Sequence, residues 1–216
     1  MKLSVAVDGP AGAGKSTIAK LLGEKFNLMY INTGAMYRAV TVMAIRNNIS
    51  HENVGALCDL IDNLEMHFEN DDIIVNNENL SEKINTPEIS SRVSSYAAVS
   101  KVREILVKIQ KNIAKKYNVI MDGRDIGTVV LKDANYKFYL TASAEKRAER
   151  RFKELINKGI NVEYNKILSD IIERDYFDSH REIDPLSKAE DAIEIESSNM
   201  SIEEVVDLMA SYIKTK

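Results

Sequence analysis

Apolar residues recur along the 216-residue chain with two periods. Short continuous runs stand at Leu3–Val7, Met29–Ile31, Val119–Met121, Tyr136–Leu140 and Ala192–Ile195. The first of them, Leu3–Val7, is rich in valine and reads as a buried parallel strand. Between the runs, apolar positions three and four apart predict helices over Lys15–Phe26, Tyr37–Asn47, Ser100–Lys116, Ala144–Lys158, Asn165–Tyr176 and Ser201–Lys214. Strands alternating with helices predict an α/β fold with a parallel sheet flanked by helices. One stretch departs from the rhythm. From Leu64 to Leu80 the chain alternates around Asn70-Asp71-Asp72 and Asn76-Asn77-Glu78-Asn79. It reads as a small antiparallel insertion outside the parallel sheet, either functional or a tolerated surface hairpin. The length suggests one domain, residues 1–216.

Between the first strand and the first helix stands Gly9-Pro10-Ala11-Gly12-Ala13-Gly14-Lys15-Ser16-Thr17, which satisfies G-x-x-x-x-G-K-[ST]. Glycines let the backbone curl so that several N–H groups aim at one anion. Lys15 adds a mobile positive charge, and the Ser16 hydroxyl can sit on Mg²⁺. The helix that follows turns its positive end towards the phosphates. At average glycine usage, chance supplies the four fixed positions in roughly one chain in a hundred of this length. The required strand–loop–helix context lowers that further. The competing dinucleotide fingerprint needs glycine at position 17, where Thr17 stands. Gly9 to Thr17 are therefore read as ligands of the phosphates of a nucleoside triphosphate.

Composition narrows the partners. The formal net charge is −4, which argues against a general polyanion surface and so against nucleic acid. There is no apolar run of membrane-spanning length, and the N-terminus, with Lys2 and a short strand-like run before Asp8, does not read as a signal peptide. The single cysteine, Cys58, reads as a buried small hydrophobe in a protein of the reducing cytoplasm.

A phosphate loop leaves the fate of the γ-phosphate open. Four clusters bear on it: Asn32-Thr33-Gly34-Ala35-Met36-Tyr37-Arg38 after the second strand; Asp122-Gly123-Arg124-Asp125-Ile126-Gly127-Thr128 after the third; Glu173 to Arg181 at a helix end; and Arg147, Arg150 and Arg151 on one helix face. The first two follow strands whose carboxyl ends should open on the same crevice as the loop. The last two also have a plain reading as solvated helix faces and surface ion pairs. Many arginines in an acidic protein suit phosphoryl transfer between two nucleotides, which gathers several phosphates. A switch GTPase needs fewer, and its N-K-x-D is absent, as are the protein-kinase H-R-D and D-F-G.

The segments VDGPAGAGKST (Val7–Thr17), NTGAMYRA (Asn32–Ala39), SKVRE (Ser100–Glu104), DGRDIGTVV (Asp122–Val130) and ERDYFDSHREIDPL (Glu173–Leu186) together resemble the bacterial cytidylate kinase family, P-loop nucleoside monophosphate kinases, along essentially the whole chain. The resemblance implies a P-loop core with a CMP-binding insertion near residues 60–90 and a short lid near 150–181. It implies transfer from ATP to CMP or dCMP with Mg²⁺, by a cytoplasmic monomer acting on small molecules. Carried over by residue, Gly9–Thr17 bind ATP and Ser16 holds the metal. Lys15, Arg38, Arg124, Arg151 and Arg181 are the catalytic cations, and Arg38, Arg124 and Arg181 grip the CMP phosphate. Thr33, where the family often has Ser, contacts the acceptor. Ser94, Arg103 and Asp125 read cytosine, Arg174 and Asp178 meet the ribose, and Arg147 and Arg151 approach ATP from the lid. A kinase for UMP, AMP or shikimate, or a P-loop switch ATPase, stands as the alternative.

Overall fold

Along the first strand, β1 (Ser4–Asp8), Val5 and Val7 enter one apolar cluster and Ala6 another. The same alternation in β6 (Val119–Gly123) sends Val119 and Met121 to one side and Ile120 to the other. Both strands are therefore covered on two faces, which is why their sequences are apolar throughout. The computed structural model describes residues 2–213. Five parallel strands lie in the order β2 (Met29–Asn32), β6, β1, β7 (Tyr136–Thr141) and β8 (Ile193–Glu196). One face is covered by α1 (Lys15–Phe26) and α8 (Ile202–Tyr212). The other is covered by α2 (Thr33–Arg46), α3 (Val54–Asp62), α4 (Pro87–Ala97) and α5 (Ser100–Lys116). The α/β fold with a flanked parallel sheet is as the periodicity predicts. The predicted end of the last helix, Lys214, lies outside the described residues.

The insertion is a three-stranded antiparallel sheet of β3 (Met66–Glu69), β4 (Asp72–Val75) and β5 (Glu78–Asn79). Its two-residue turns, Asn70-Asp71 and Asn76-Asn77, all have positive φ. This is the hairpin geometry that matches strand twist, and Asn and Asp tolerate it best among side-chain-bearing residues. Ile73, Val75 and Leu80 carry the sheet into the same core as α2 and α4. Beyond β7, α6 (Ala144–Asn157) and α7 (Tyr164–His180) pair around a small core of Ala148, Leu155, Ile167 and Ile171.

Several elements differ from the sequence pattern. The second helix starts at Thr33, four residues before the predicted Tyr37, because the Asn32 side chain caps it by accepting from the Ala35 N–H. Gly34 is inside its first turn. Two helices went unpredicted. In α3 only Leu57 and Ile61 face inward, too short an apolar signal to stand out. Cys58, one residue round from Leu57, is accordingly half-buried and not buried. In α4 the start signal is plain in retrospect: Thr86 caps the helix and Pro87 opens it. The seventh helix also runs past Tyr176 to His180, so most of the third charged cluster is helical.

Candidate active site

Register decides what meets at the carboxyl edge of the sheet. Asp8, the last residue of β1, pairs with Gly123 of β6 and Tyr139 of β7, and Asn32 at the end of β2 pairs with Asp122. The loop from Gly9 to Gly14 therefore leaves the sheet beside the segment starting at Asp122. The tight exit needs glycine: Gly9 has φ +146, and a Cβ there would lie 2.0 Å from the Leu140 carbonyl oxygen. Gly12 and Gly14 also have positive φ. Gly14 gives α1 no side-chain cap, so first-turn N–H groups of that helix remain free of a side-chain acceptor, as an anion cradle requires. Lys15 is buried, with Nζ donating to the Pro10 carbonyl at 2.7 Å. Burial and the nearby Arg124 push its pKa well down.

Two carboxylates that the motif reading did not single out hold this edge together. Asp122 accepts from the Ser16 hydroxyl and from the Tyr30 phenol, each at 2.9 Å, and its backbone carbonyl accepts from Thr33 Oγ1 at 2.7 Å. Thr33 is thereby committed to the strand end. Asp8 accepts from the Ile126 and Gly127 amides, both at 2.7 Å, and so pins the segment that carries Arg124 and Asp125. Both lay inside quoted motifs at strand ends, which was the signal available. Burial raises the Asp8 carboxyl to about 6, against the pull of the Gly127 and Ile126 amides, with Asp125 adding to the rise. A carboxyl whose folded pKa exceeds its unfolded value binds its proton more tightly in the folded state. Its charged form therefore costs stability above about pH 6, and that cost is relieved as pH falls towards 4. Relative to Asp8→Asn, the wild type should gain up to about 3 kcal/mol between pH 7 and pH 4, read by denaturant unfolding across that range.

In front of this edge opens a cleft of about 1680 Å³, more than the roughly 300–1,000 Å³ of a site for one small molecule. Lys15, Ser16, Arg38, Arg124, Arg151 and Arg174 line it, from five different segments, and Ser94 faces it from α4. The cations repel one another. Arg38 is pushed down to about 9 by burial and then by Arg174, Arg124 and Arg151. Arg174 is pushed down to about 10 by burial and then by Arg124. Neutral acceptors, the Ile84 carbonyl and Ser90 Oγ at 2.9 Å each, orient Arg38. Arg174 Nε is buried without a hydrogen-bond partner. Asp178 is the nearby counter-charge, 2.8 Å from Arg124 Nε. Burial pushes its carboxyl up, but Arg124 and Arg174 outweigh that and lower its pKa. Carboxylates line the cleft as well, Asp72, Asp122, Glu154 and Glu173 among them, but partly buried Arg38 has only neutral partners, and the mutual repulsion around it suits that part of the cleft to an anion.

The remaining site residues lie behind the cleft wall. Arg147 is buried, donating to the Ala11 and Ala142 carbonyls at 3.0 and 2.8 Å and pairing with Asp175 at 2.6 Å; it braces the phosphate loop. Arg150 bonds the Ser197 carbonyl at 2.6 Å, so the three arginines of α6 face three different partners despite their shared spacing. Arg103, 2% exposed, is paired with Asp125 through Nη2 and with Asp184 through Nε at 2.8 Å, and its guanidinium lies 5.6 Å from the centre of the Tyr37 ring. Arg181 is engaged with Asp125, at 3.5 Å, and with the Asp184 carbonyl, rather than beside Arg38.

Comparison with known proteins bears on this two-part arrangement. The chain is 64% identical to a cytidylate kinase of Clostridium acetobutylicum over the full length of both, and 63% identical to one of Clostridium perfringens over 98% of each. Among solved structures, a shikimate kinase from Bacteroides thetaiotaomicron shares the fold at 12% identity, with a TM-score of 0.50 over 97% of this chain and 96% of that one. An uncharacterised protein from Eubacterium ventriosum does so at 13% identity, with a TM-score of 0.54 over 99% and 98%. The family model described as Cytidylate kinase matches residues 5–215. A cleft that gathers arginines against a phosphate loop, backed by a buried carboxylate–arginine knot, is thus the form taken here by a chain that belongs to the cytidylate kinase family.

Proposed function

We propose that the protein transfers the γ-phosphate of ATP to CMP or dCMP, giving ADP and CDP or dCDP, by direct in-line transfer. The observation that carries the reading is the convergence of Lys15, Arg38, Arg124, Arg151 and Arg174 on one cleft, with Arg38, Arg124 and Arg174 partly buried and close enough to repel one another. Two nucleotides placed there head to head bring at least four phosphates to those cations. The loop Gly9–Thr17 takes the donor phosphates, with Arg147 keeping the loop in shape and Arg151 reaching in from α6. Arg38 and Arg124 hold the acceptor phosphate, which Arg181 joins from the knot. Thr33 supports the acceptor side through the strand end, and Arg174 with Asp178 lies where the ribose would pass. Ser94, Arg103 and Asp125 read the base. No general base is needed, because a phosphate oxygen is already a competent nucleophile; catalysis is positioning and charge stabilisation.

The residues fit Mg²⁺. Ser16 Oγ and the Asp122 carboxylate are hard oxygen donors 2.9 Å apart, and among the described residues no cluster of three or more His, Cys, Asp or Glu side chains could cage a metal. A pair of oxygens suits a cation that keeps most of its ligands as water and phosphate. Held by Ser16 and Asp122, such a cation would supply charge neutralisation for the transferring phosphoryl group.

The three-stranded insertion within residues 60–90 is read as the CMP-side flap, and residues 150–181, the end of α6 and all of α7, as the lid on one domain spanning 1–216. Both border the cleft, through Asp72 and Ile73 and through Arg151 and Arg174, so their closure would exclude water. We further read a cytoplasmic monomer. Among the described residues no helix is long and apolar enough to cross a membrane. Phosphate transfer from ATP to CMP, dCMP, UMP and AMP, assayed side by side, tests the reading. CMP and dCMP should lead UMP and AMP in kcat/KM by at least about tenfold; equal use of UMP or AMP overturns it.

A further inference from the structure

Asp184 sits in the turn after α7, half-buried, with φ +48. Asp is among the few side-chain-bearing residues that adopt this left-handed conformation readily. The conformation lets one residue use both of its acceptors. Its carboxylate accepts from Arg103 Nε at 2.8 Å, and its carbonyl accepts from Arg181 Nε at 2.7 Å and from Arg181 Nη2. The Leu186 amide donates to the Asp178 carbonyl at 2.8 Å and ties the turn back to α7.

Arg103 and Arg181 come from different elements, and both also face Asp125. The four residues form a closed ring in which each arginine touches both aspartates. Such a ring has a consequence for base reading. Asp125 can accept from the cytosine amino group only by giving up part of its hold on the arginines. With one carboxylate, buried Arg103 would then be left with an unpaired charge or would follow the substrate. Asp184 engages Arg103 through Nε, while Asp125 is bonded to Nη2. Arg103 can therefore stay in place while Asp125 turns to the base.

We infer that Asp184 is a specificity-determining positioning residue of the acceptor site: it fixes the Arg103 and Arg181 guanidinium groups in one register, so that an edge of Asp125 is available to cytosine. The inference rests on the cytidylate kinase reading above. Wild type and Asp184→Asn, which keeps the size and the backbone carbonyl but removes the charge, are assayed with CMP and with UMP at saturating ATP, and with ATP varied at saturating CMP. The variant should raise KM for CMP about tenfold and cut the CMP-over-UMP ratio of kcat/KM about tenfold. KM for ATP should stay within about twofold. In an Asp125→Asn background, adding Asp184→Asn should change the ratio by less than about twofold, because both act on one base-reading unit. Asp184→Glu, which keeps the charge, should restore part of the ratio. An unchanged ratio in Asp184→Asn overturns the inference. So does an equal loss for both monophosphates with a lowered thermal midpoint, which marks a structural role only. A wild type without preference for CMP counts against the function reading instead, and is seen before any variant is assayed.

Discussion

Lys15→Ala is expected to lower kcat for CMP phosphorylation by about a thousandfold while leaving CMP binding nearly intact. The ammonium is 5% exposed and held against the Pro10 carbonyl at 2.7 Å, so its position is set before substrate arrives. Charge on the migrating phosphoryl group spreads over its equatorial oxygens, and a preorganised donor in a water-poor site acts on that charge without reorganisation. Removing one such donor from a comparable site costs about 10²–10³ in kcat, and Lys15 carries a full charge as well. Folding should suffer little. Burial and Arg124 oppose the charge on Lys15 while Asp122 and Asp8 favour it, so the penalties that vanish with the ammonium offset the attraction lost to the two carboxylates. Lys15→Arg should not rescue, because a planar fork cannot replace a compact ammonium in a loop this tight. Single-turnover kinetics with ATP and CMP, alongside calorimetric binding of CMP, separate the chemical step from the acceptor site. Near-normal turnover in Lys15→Ala would remove the loop from the chemistry.

The donor half of the site was far more legible in the sequence than the acceptor half, and the reason is physical. A phosphate loop is a contiguous backbone device: Gly9 cannot be replaced without a clash, and Gly12 and Gly14 hold positive φ that a side chain would strain. Its whole function is written in one segment. The acceptor half is assembled from side chains scattered over α2, α4, α5, α6, α7 and the ends of β2 and β6, and nothing local marks their meeting. Arg147 and Arg151 share a helix face in sequence, yet one braces the loop from beneath and the other faces the cleft. Asp8, Asp122 and Asp184 act by holding other groups, and their signal is only that they stand at strand ends or in a turn. The parallel sheet was legible because its central strands, β1 and β6, are apolar on both faces. α3 was not, because only Leu57 and Ile61 are buried along it, and α4 was not, because Ser90, Ser91, Ser94 and Ser95 give a loop-like composition to a segment whose Ile89, Val93, Tyr96 and Ala97 do hold helical spacing. The Asn-rich turns of the insertion were legible because positive φ at two successive positions selects residue type directly.

Asp125→Ala is expected to reduce the preference for CMP over UMP by about ten- to a hundredfold, and to destabilise the fold by about 3–5 kcal/mol. Cytosine offers an amino group where uracil has a carbonyl oxygen. A carboxylate can accept from the first and only repels the second, so losing it removes the discrimination. The stability loss comes from the ring behind the cleft. Arg103 is 2% exposed and the Arg181 side chain 5%, and without Asp125 the Asp184 carboxylate is left to Arg103 while Arg181 keeps the Asp184 carbonyl and the more distant Asp178 charge. Burial pushes the Asp125 carboxyl up, while Arg103 and Arg181 pull it back, so the arginines are what keep the carboxylate available to accept. Asp125→Asn separates the two effects. Its amide oxygen can still accept from Arg103, so it should recover part of the stability. Its amino group offers the base a donor in place of a carboxylate oxygen, so the preference should remain low. The kcat/KM ratio for CMP and UMP, measured with denaturant unfolding on the same preparations, reads both. A variant that loses stability yet keeps the wild-type ratio would leave Asp125 as a support for the arginines and move base recognition to Ser94 and Arg103.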